Sequence, residues 1–586
     1  MKKGFLSLVT TLSAAILLTA CSAGSKTQTV EGTGTGKHGD IKVAVTFKGN
    51  KIEKIKVLKQ QENSVLSKPV YSQLKDTIVA KNSTDVDVIS GSTATSKGYL
   101  AAINAAVKKA GVTLKSTKQT ATSDEPKVGK TNNFDVVVVG SGGGGFSAAI
   151  EAKEAGKKVA IIEKMPTVGG NTLISGGEMN APGNWVQKKL KIKGDSVKSY
   201  YQDTMKGGDN LGDPKMVHIL ANNALGSAKW LRDDIHVNFI KDQLFQFGGH
   251  SYKRALIPVG HTGQELVTKL DKKATALKIP IYTNTKAKSL IKQNGRIVGV
   301  KARYQGKKNV TFKAKNAVIL TTGGFGSNVK MRTKYNQEYD KRYKSTDTAG
   351  TQGDGIVMAQ NVGAKLTNMK YIQTYPIANP KTGMISLLAD TRFDGAILVN
   401  QEGNRFVEEL ERRDVISKAI LKQTGGYTYQ IWNDKIDGIS KTKAAHKAEY
   451  NELIKEGLLY KADSIDELAK DFKIDPAALK ATIKKVNRYA KTGKDKDFHH
   501  RAGLVSLAKG PYYIEKAVPS VHHTMGGLVI NEKTEVLNQH GKAIPGLYAA
   551  GELTGVIQGS NRLGGNAIAD IITFGWIAGQ TTGKLK

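Results

Sequence analysis

A single cysteine, Cys21, in 586 residues excludes disulfides, iron–sulfur clusters and thiolate zinc sites within the chain. No Cys-x-x-Cys-His run is present either, so a c-type haem has nowhere to attach. No metal-ligand set is expected. Acidic residues are also scarce. There are 51 Asp+Glu against 88 Lys+Arg, a formal charge of +37. Such a balance suits nucleic acid, an anionic surface or an anionic substrate. The basic residues are spread rather than run together and no nucleic-acid motif accompanies them, so a solvated lysine-rich surface is the favoured reading. Aromatic residues make up only 6%, yet the hydrophobic fraction of 39% is ample for real cores. The length is too great for one ordinary domain, and about two to four are expected.

Lys2 and Lys3 precede an apolar stretch from Phe5 to Leu18, too short for a spanning helix. It reads as a secretory signal. Leu18-Thr19-Ala20-Cys21 resembles a bacterial lipoprotein box, which implies cleavage before Cys21 and lipidation of its thiol. The alternative is an ordinary signal peptide with a chance cysteine. The expected place is the cell membrane, lipid-anchored on the extracellular side.

Residues 22–36 are rich in Ser, Thr and Gly and read as a flexible tether. Residues 37–112 read as a small α+β domain. His38 to Lys59 alternates like two strands about a Gly49-Asn50 turn, a polar segment follows, and a helix is expected from Tyr99 to Ala110. Residues 113–132 look like a linker. The run Asp87-Val-Ile-Ser90-Gly91-Ser92-Thr93 resembles that of bacterial FMN-binding domains, with Ser92 where that family usually has alanine. The resemblance implies FMN held covalently on Thr93 by a phosphoester bond that a flavin transferase installs. The alternative is a Ser/Thr-rich turn that caps the helix.

The most informative stretch is Phe134-Asp-Val-Val-Val-Val-Gly140-Ser-Gly142-Gly-Gly-Gly145. An apolar strand ends in a glycine turn, a helix follows from Phe146 to Ala155, and a second strand, Lys158 to Ile162, ends at Glu163. This is a dinucleotide-binding βαβ pattern. Gly140 serves the tight turn, Gly142 a close backbone approach to pyrophosphate, Gly145 helix–strand packing, and Glu163 a ribose. Further glycine motifs follow at Gly169-Gly170-Asn171-Thr172, Thr321-Thr322-Gly323-Gly324, Gly353-Asp354-Gly355, Ala550-Gly551-Glu552 and Arg562-Leu563-Gly564-Gly565.

From Phe134 onward these motifs together resemble the fumarate reductase/succinate dehydrogenase flavoprotein family. The resemblance implies an α/β fold: a Rossmann-like FAD domain in two segments, 133–369 and 518–586, with an α+β capping domain at 370–517 between them. FAD would be non-covalent. Gly170, Asn171, Thr172, Gly177, Thr322, Gly323, Asp354, Glu552 and Leu563 would join Gly140, Gly142, Gly145 and Glu163 in holding it.

Three residues match the family's reductase chemistry: Arg413 as proton donor, and His522 and Arg562 as binders of a substrate carboxylate. When hydride adds to an alkene carbon β to a carboxylate, negative charge builds on that carboxylate, and fixed cations stabilise it. Arginine is an unusual acid because it holds its proton tightly. A relay must reload it, and Asp390 and Arg392 are near enough in sequence to supply one.

Departures from the family locate the specificity. Fumarate reductases usually read His-Pro-Thr where this chain has Tyr375-Pro376-Ile377, and Thr-Glu ahead of an Arg-Gly-x-Gly-Ala segment where this chain runs Leu387-Leu388-Ala389-Asp390-Thr391-Arg392-Phe393-Asp394-Gly395-Ala396. Glu178 is an added carboxylate in the loop Gly176-Gly177-Glu178-Met179-Asn180. The two carboxylates, beside the Tyr375 phenol, would repel a second substrate carboxylate and suit a group with N–H donors, such as imidazole. Glu178, Tyr375, Asp390, Arg413, His522 and Arg562 together resemble the set of urocanate reductases. This implies reduction of the urocanate alkene to imidazole propionate as a terminal electron-acceptor reaction, with electrons from a membrane donor. The alternatives are reduction of fumarate or another acrylate, such as an aryl acrylate, and a non-catalytic flavin carrier.

Overall fold

The computed structural model describes residues 27–36, 40–60, 64–86, 93–114 and 126–586. Cys21, Asp87 and Ser90–Ser92 lie outside them, as does the side chain of Thr93.

Ile41, Val43, Val45 and Phe47 alternate with more polar neighbours, and all four are fully buried on one face of the strand Asp40–Lys48. That strand pairs with Lys51–Lys59 across a turn in which Gly49 has φ +56°. The expected tether is in part a strand. Thr27–Thr35 pairs antiparallel with Asp40–Lys48, with Val30 opposite Val45. Its glycines give clearance rather than flexibility. A Cβ on Gly32 would stand 1.9 Å from the Ala102 carbonyl oxygen, and one on Gly34 would stand 2.3 Å from that of Gly98. The helix Thr93–Ala110 can therefore lie directly on this strand. It starts at Thr93, earlier than the Tyr99 expected. The segment read only as polar contains the helix Ser64–Lys81, whose Val70, Leu74 and Ile78 recur every four residues and complete the small core.

The large domain is built on an eight-stranded sheet. Its parallel heart sets Thr131–Val139 between Val159–Ile162 and Lys308–Leu320, and Ala543–Ala549 pairs with the far side of Lys308–Leu320. Thr131 and Asn132 already pair with Thr311 and Phe312, so the last residues assigned to the linker belong to this sheet. Val139, Leu320 and Ala549 share one register level. The turns that follow, Gly140, Thr321 and Ala550-Gly551, therefore meet at one edge, where ligands of doubly wound sheets bind.

A second sheet, five-stranded and antiparallel, joins Ile372–Ala378, Tyr512–Thr524, Thr428–Asn433, Ile397–Val399 and Leu459–Ala462. With its helices it encloses its own apolar cores, between Tyr375 and Ala517. Tyr512–Thr524 is long enough to leave this cap and carry His522 and His523 back to the FAD domain, whose core includes Val521. Arg412 ties the two parts together. Its Nη1 donates to Asp209 Oδ1 at 2.7 Å, and the Ser560 hydroxyl donates to the other oxygen of the same carboxylate. Among the described residues no helix is long and apolar enough to cross a membrane.

Candidate active site

The glycine turn is shaped by close approaches. A Cβ on Gly140, which has φ +110°, would stand 2.4 Å from the Thr321 carbonyl oxygen, and one on Gly145 would stand 2.0 Å from that of Gly140. Both positions must be glycine for the strand, turn and helix to close up. At Gly142 the nearest atom to an added Cβ is 3.8 Å away, so its backbone is open to a ligand. The helix Gly143–Glu154 starts there with no cap from a side chain at Gly142, and its N-terminus lines a large cavity. Such an end favours a pyrophosphate. Thr172 Oγ1 accepts from Gly143 N at 3.0 Å and steadies the turn.

Glu163 ends the second strand and lines the same cavity. Its Oε2 accepts from Ser141 N at 2.9 Å and Ser141 Oγ at 2.7 Å, and its Oε1 from Met165 N at 2.8 Å. It therefore braces the turn beside the place a ribose would take. Asn171 Oδ1 accepts from Thr348 N at 2.8 Å and its Nδ2 donates to Asp347 at 2.9 Å, tying a second loop to the cavity wall. Asp354 pairs with Lys164 and with Lys286, the latter at 3.1 Å. Glu552 Oε1 accepts from Thr524 N at 3.1 Å. Gly170, Gly177, Thr322 and Gly323 also line the cavity, and the buried Thr322 hydroxyl has no hydrogen-bond partner among the described residues. An orphaned donor, open glycine backbone and a helix N-terminus facing the cavity fit a flavin dinucleotide. Leu563 does not line this cavity. Its side chain packs against Gly207 and Gly249, because the chain turns at Gly565, φ +78°, and presents Gly565 and Ala567 instead.

The cavity continues to Glu178, Arg413, His522, His523 and Arg562. The cap supplies Arg413 as the first residue of the helix Arg413–Leu421. Its guanidinium lies 5.0 Å from the centre of the Tyr375 ring and 5.8 Å from that of Phe247. Arg413 Nη1 and Arg562 Nε are both buried with no acceptor among the described residues. Two unpaired cationic donors lining one cavity suit an anion. Arg562 Nη2 donates to Gln373 Oε1 at 3.0 Å, which fixes its fork. Gln373, two residues before Tyr375 on its strand, was not singled out from the sequence. Neither was Thr346, whose hydroxyl meets His522 Nδ1 at 2.7 Å. Both partners come from distant segments, and no local motif marks them.

Burial dominates the charges here. It pulls Arg562 down to about 9, with Arg413 adding to the fall. Burial also lowers Arg413, with Arg392 adding to the fall and Tyr375, Glu178 and Asp390 opposing it. His522 is held well below the usual histidine value by burial, then by Arg562 and Arg413, so it is neutral. Asp390 is pushed well above the usual carboxylate range by burial and then by Glu178. Burial raises Glu178 too, against the pull of Arg413 and Arg562.

Tyr375 and Asp390 stand behind the cavity wall rather than in its lining. The Tyr375 ring lies 5.2 Å from that of His522, and its hydroxyl reaches the Ser386 carbonyl at 3.5 Å. Asp390 and Arg392 share the short 3-10 helix Leu388–Asp394, and Arg392 lines a small recess shared with Arg413 and Arg562. All the candidate catalytic and substrate residues thus gather at the seam between cap and FAD domain.

The chain matches the FAD binding domain family over residues 135–568 and the FMN-binding domain family over residues 36–108. It is 44% identical over 574 residues to a urocanate reductase of Eggerthella lenta, covering 97% of this chain and 94% of that one. A cytochrome-type fumarate reductase of Shewanella frigidimarina is 41% identical over 473 residues, 80% of each chain. The open conformation of a flavocytochrome c3 fumarate reductase superposes with a TM-score of 0.65 at 36% identity, covering 77% of this chain and 78% of that one. The chain is a flavin-dependent oxidoreductase acting on carbon–carbon double bonds. It belongs to the fumarate reductase family of FAD-binding flavoproteins and carries an FMN-binding domain ahead of the FAD-binding one.

Proposed function

We propose that this chain reduces the alkene of urocanate to imidazole propionate. The observation that carries the reading is the pairing, at one cavity end, of unpartnered guanidinium donors on Arg413 and Arg562 with the carboxyl of Glu178, behind which Asp390 acts on the same field. Arg562 and neutral His522 take the substrate carboxylate. Glu178 in the cavity wall, with Asp390 behind it, gains from an imidazole that brings N–H donors or positive charge, whereas a second carboxylate would find no such partner in Glu178 and would be repelled by it when ionised. The likeness to a urocanate reductase supports the same choice.

When bound, FAD supplies a hydride to the alkene carbon next to the imidazole. Charge then builds on the carboxylate, and Arg562 and Arg413 stabilise it in a site that excludes water. Arg413 gives a proton to the α-carbon. Its depressed affinity for that proton, caused first by burial, suits it to the task. Asp390 and Arg392 restore the proton.

The small domain would carry FMN on Thr93, installed by a flavin transferase, and relay electrons from a membrane donor. Lipidation of Cys21 would hold the enzyme on the outer face of the cell membrane. Removing the small domain should abolish reduction by the membrane donor while leaving reduction by artificial donors intact.

The deciding experiment is turnover with a reduced dye and a panel of acrylates. Urocanate should be reduced fast and fumarate negligibly. Comparable rates on fumarate or an aryl acrylate would overturn the assignment.

A further inference from the structure

Each turnover removes a proton from Arg413, and water must replace it. Yet Arg413 faces the cavity that substrate and flavin would fill, and Arg392 behind it is only 2% exposed. A second cavity, of about 70 Å³, lies beside the first between the FAD domain and the cap. The two share Ile174, Ser175 and Ile385 in their walls. Thr382, exposed to solvent, stands at its outer side, and Glu449 is buried in its wall.

Both carboxylate oxygens of Glu449 accept from Leu387 N at 3.1 Å. Leu387 immediately precedes the 3-10 helix Leu388–Asp394, and Asp390 N bonds back to the Leu387 carbonyl at 3.2 Å. One carboxyl group thus touches the cavity on one side and the segment that presents Asp390 on the other. Glu449 has no ion-pair partner among the described residues. Among the described residues the charged groups acting on it are acids, Glu515 from the strand Tyr512–Thr524 and Asp390 from the 3-10 helix, and Glu452, one turn along its own helix Lys447–Lys455, lines the same cavity.

We propose that Glu449 is the outer proton-relay residue of this enzyme, passing protons from water in the second cavity to Asp390. The inference rests on the reading of Arg413 as proton donor. An Arg413 N–H bond breaks as the C–H bond forms at the α-carbon. An Asp390 O–H breaks, by way of Arg392, as the Arg413 N–H is restored. A Glu449 O–H breaks as that of Asp390 is restored, and cavity water reprotonates Glu449. No electrons move along this path. Burial first, and Glu515 and Asp390 after it, push Glu449 well above the usual carboxylate range, so it holds a proton ready to pass.

Glu449→Gln keeps an acceptor oxygen for Leu387 N and the neutral charge but cannot pass a proton on. The test follows reoxidation of the dye-reduced holoenzyme by urocanate in stopped flow, in H2O and D2O and across pH. Glu449→Gln should retain its flavins and be reduced at the normal rate. Its reoxidation should be roughly 10- to 100-fold slower, with a larger solvent isotope effect and a shifted pH profile. Formate should partly rescue Glu449→Ala, and the infrared band of a protonated carboxyl should vanish in Glu449→Gln. A Glu449→Gln enzyme with the parent's reoxidation rate, isotope effect and pH profile would overturn the relay. Arg413→Ala run alongside separates the two readings. Residual fast turnover there defeats the donor assignment, whereas a dead Arg413→Ala beside a normal Glu449→Gln defeats the relay alone.

Discussion

The Tyr375 ring touches both the cationic Arg413 and the neutral His522, its centre 5.0 Å from the Arg413 guanidinium and 5.2 Å from the His522 ring. A cation–π contact steadies a guanidinium without offering it a carboxylate. An ion pair would tighten Arg413's hold on its proton. The aromatic face leaves that hold weakened by burial, which is what a proton donor requires.

Arg413→Ala should therefore lower turnover on urocanate by at least about 10²- to 10⁴-fold, the usual worth of a positioned acid. FAD content and the rate of flavin reduction by dye should stay near those of the parent. Arg413→Lys should recover little, because a compact ammonium cannot reproduce the planar fork over Tyr375. Stopped-flow spectroscopy separates the two half-reactions. A variant reoxidised by urocanate at the parental rate would remove Arg413 from the chemistry.

Glu178 and Asp390 test the choice of substrate. Each hydrogen bond to a charged group in this setting is worth about 1.5–3 kcal/mol. Glu178→Gly combined with Asp390→Ala should lower kcat/KM for urocanate by at least about tenfold, and fumarate should become a better inhibitor as the repulsion disappears. Steady-state kinetics with both compounds decides it. Unchanged urocanate kinetics would end the imidazole-clamp argument.

The residues legible in the sequence were those whose role is local. Gly140 and Gly145 lie within one turn of each other, and the steric need for glycine follows from strand–turn–helix geometry. Arg413, His522 and Arg562 were legible only through their motifs, because they come from three segments that meet at the seam. Gln373 and Thr346 had no such motif. Each is an ordinary polar residue until Arg562 or His522 arrives beside it from far along the chain. Leu563 falls outside the cavity lining, and a glycine-rich stretch does not tell which side of the chain faces the ligand. The positive φ at Gly565 decides that. Gly32 and Gly34 misled in the other direction. Their composition suggested a tether, whereas their missing Cβ atoms make room for a helix.

That reading of Gly32 is testable. Gly32→Ala would place a methyl 1.9 Å from the Ala102 carbonyl oxygen, a backbone atom that cannot swing aside. The strand must lift from the helix, at a cost of about 1–3 kcal/mol typical of overpacking. Limited proteolysis should then cut the small domain sooner and FMN loading should fall, while FAD content and dye-driven turnover stay unchanged. A variant as protease-resistant as the parent would restore the tether.

Glu515 makes the stability of the cap depend on pH. It is 1% exposed, and neither carboxylate oxygen has a hydrogen-bond partner among the described residues. Burial pushes it up to about 7, and the nearby Ser386 hydroxyl only partly offsets the rise. Between its unfolded value near 4.5 and about 7 the folded cap holds a proton that the unfolded chain has released. Stability from this group is fully present below the lower value and is lost as pH rises through the upper one. The loss amounts to about 3 kcal/mol at roughly 1.4 kcal/mol per pH unit. Glu515→Gln has no such proton, so its stability relative to the parent should climb from pH 5 to pH 7 and level off above pH 8. Trp432, buried in the cap and stacked 5.5 Å from Tyr513, gives urea unfolding a local fluorescence signal. Parallel pH dependences for the two proteins would mean that Glu515 is ionised in the folded cap and balanced by a partner.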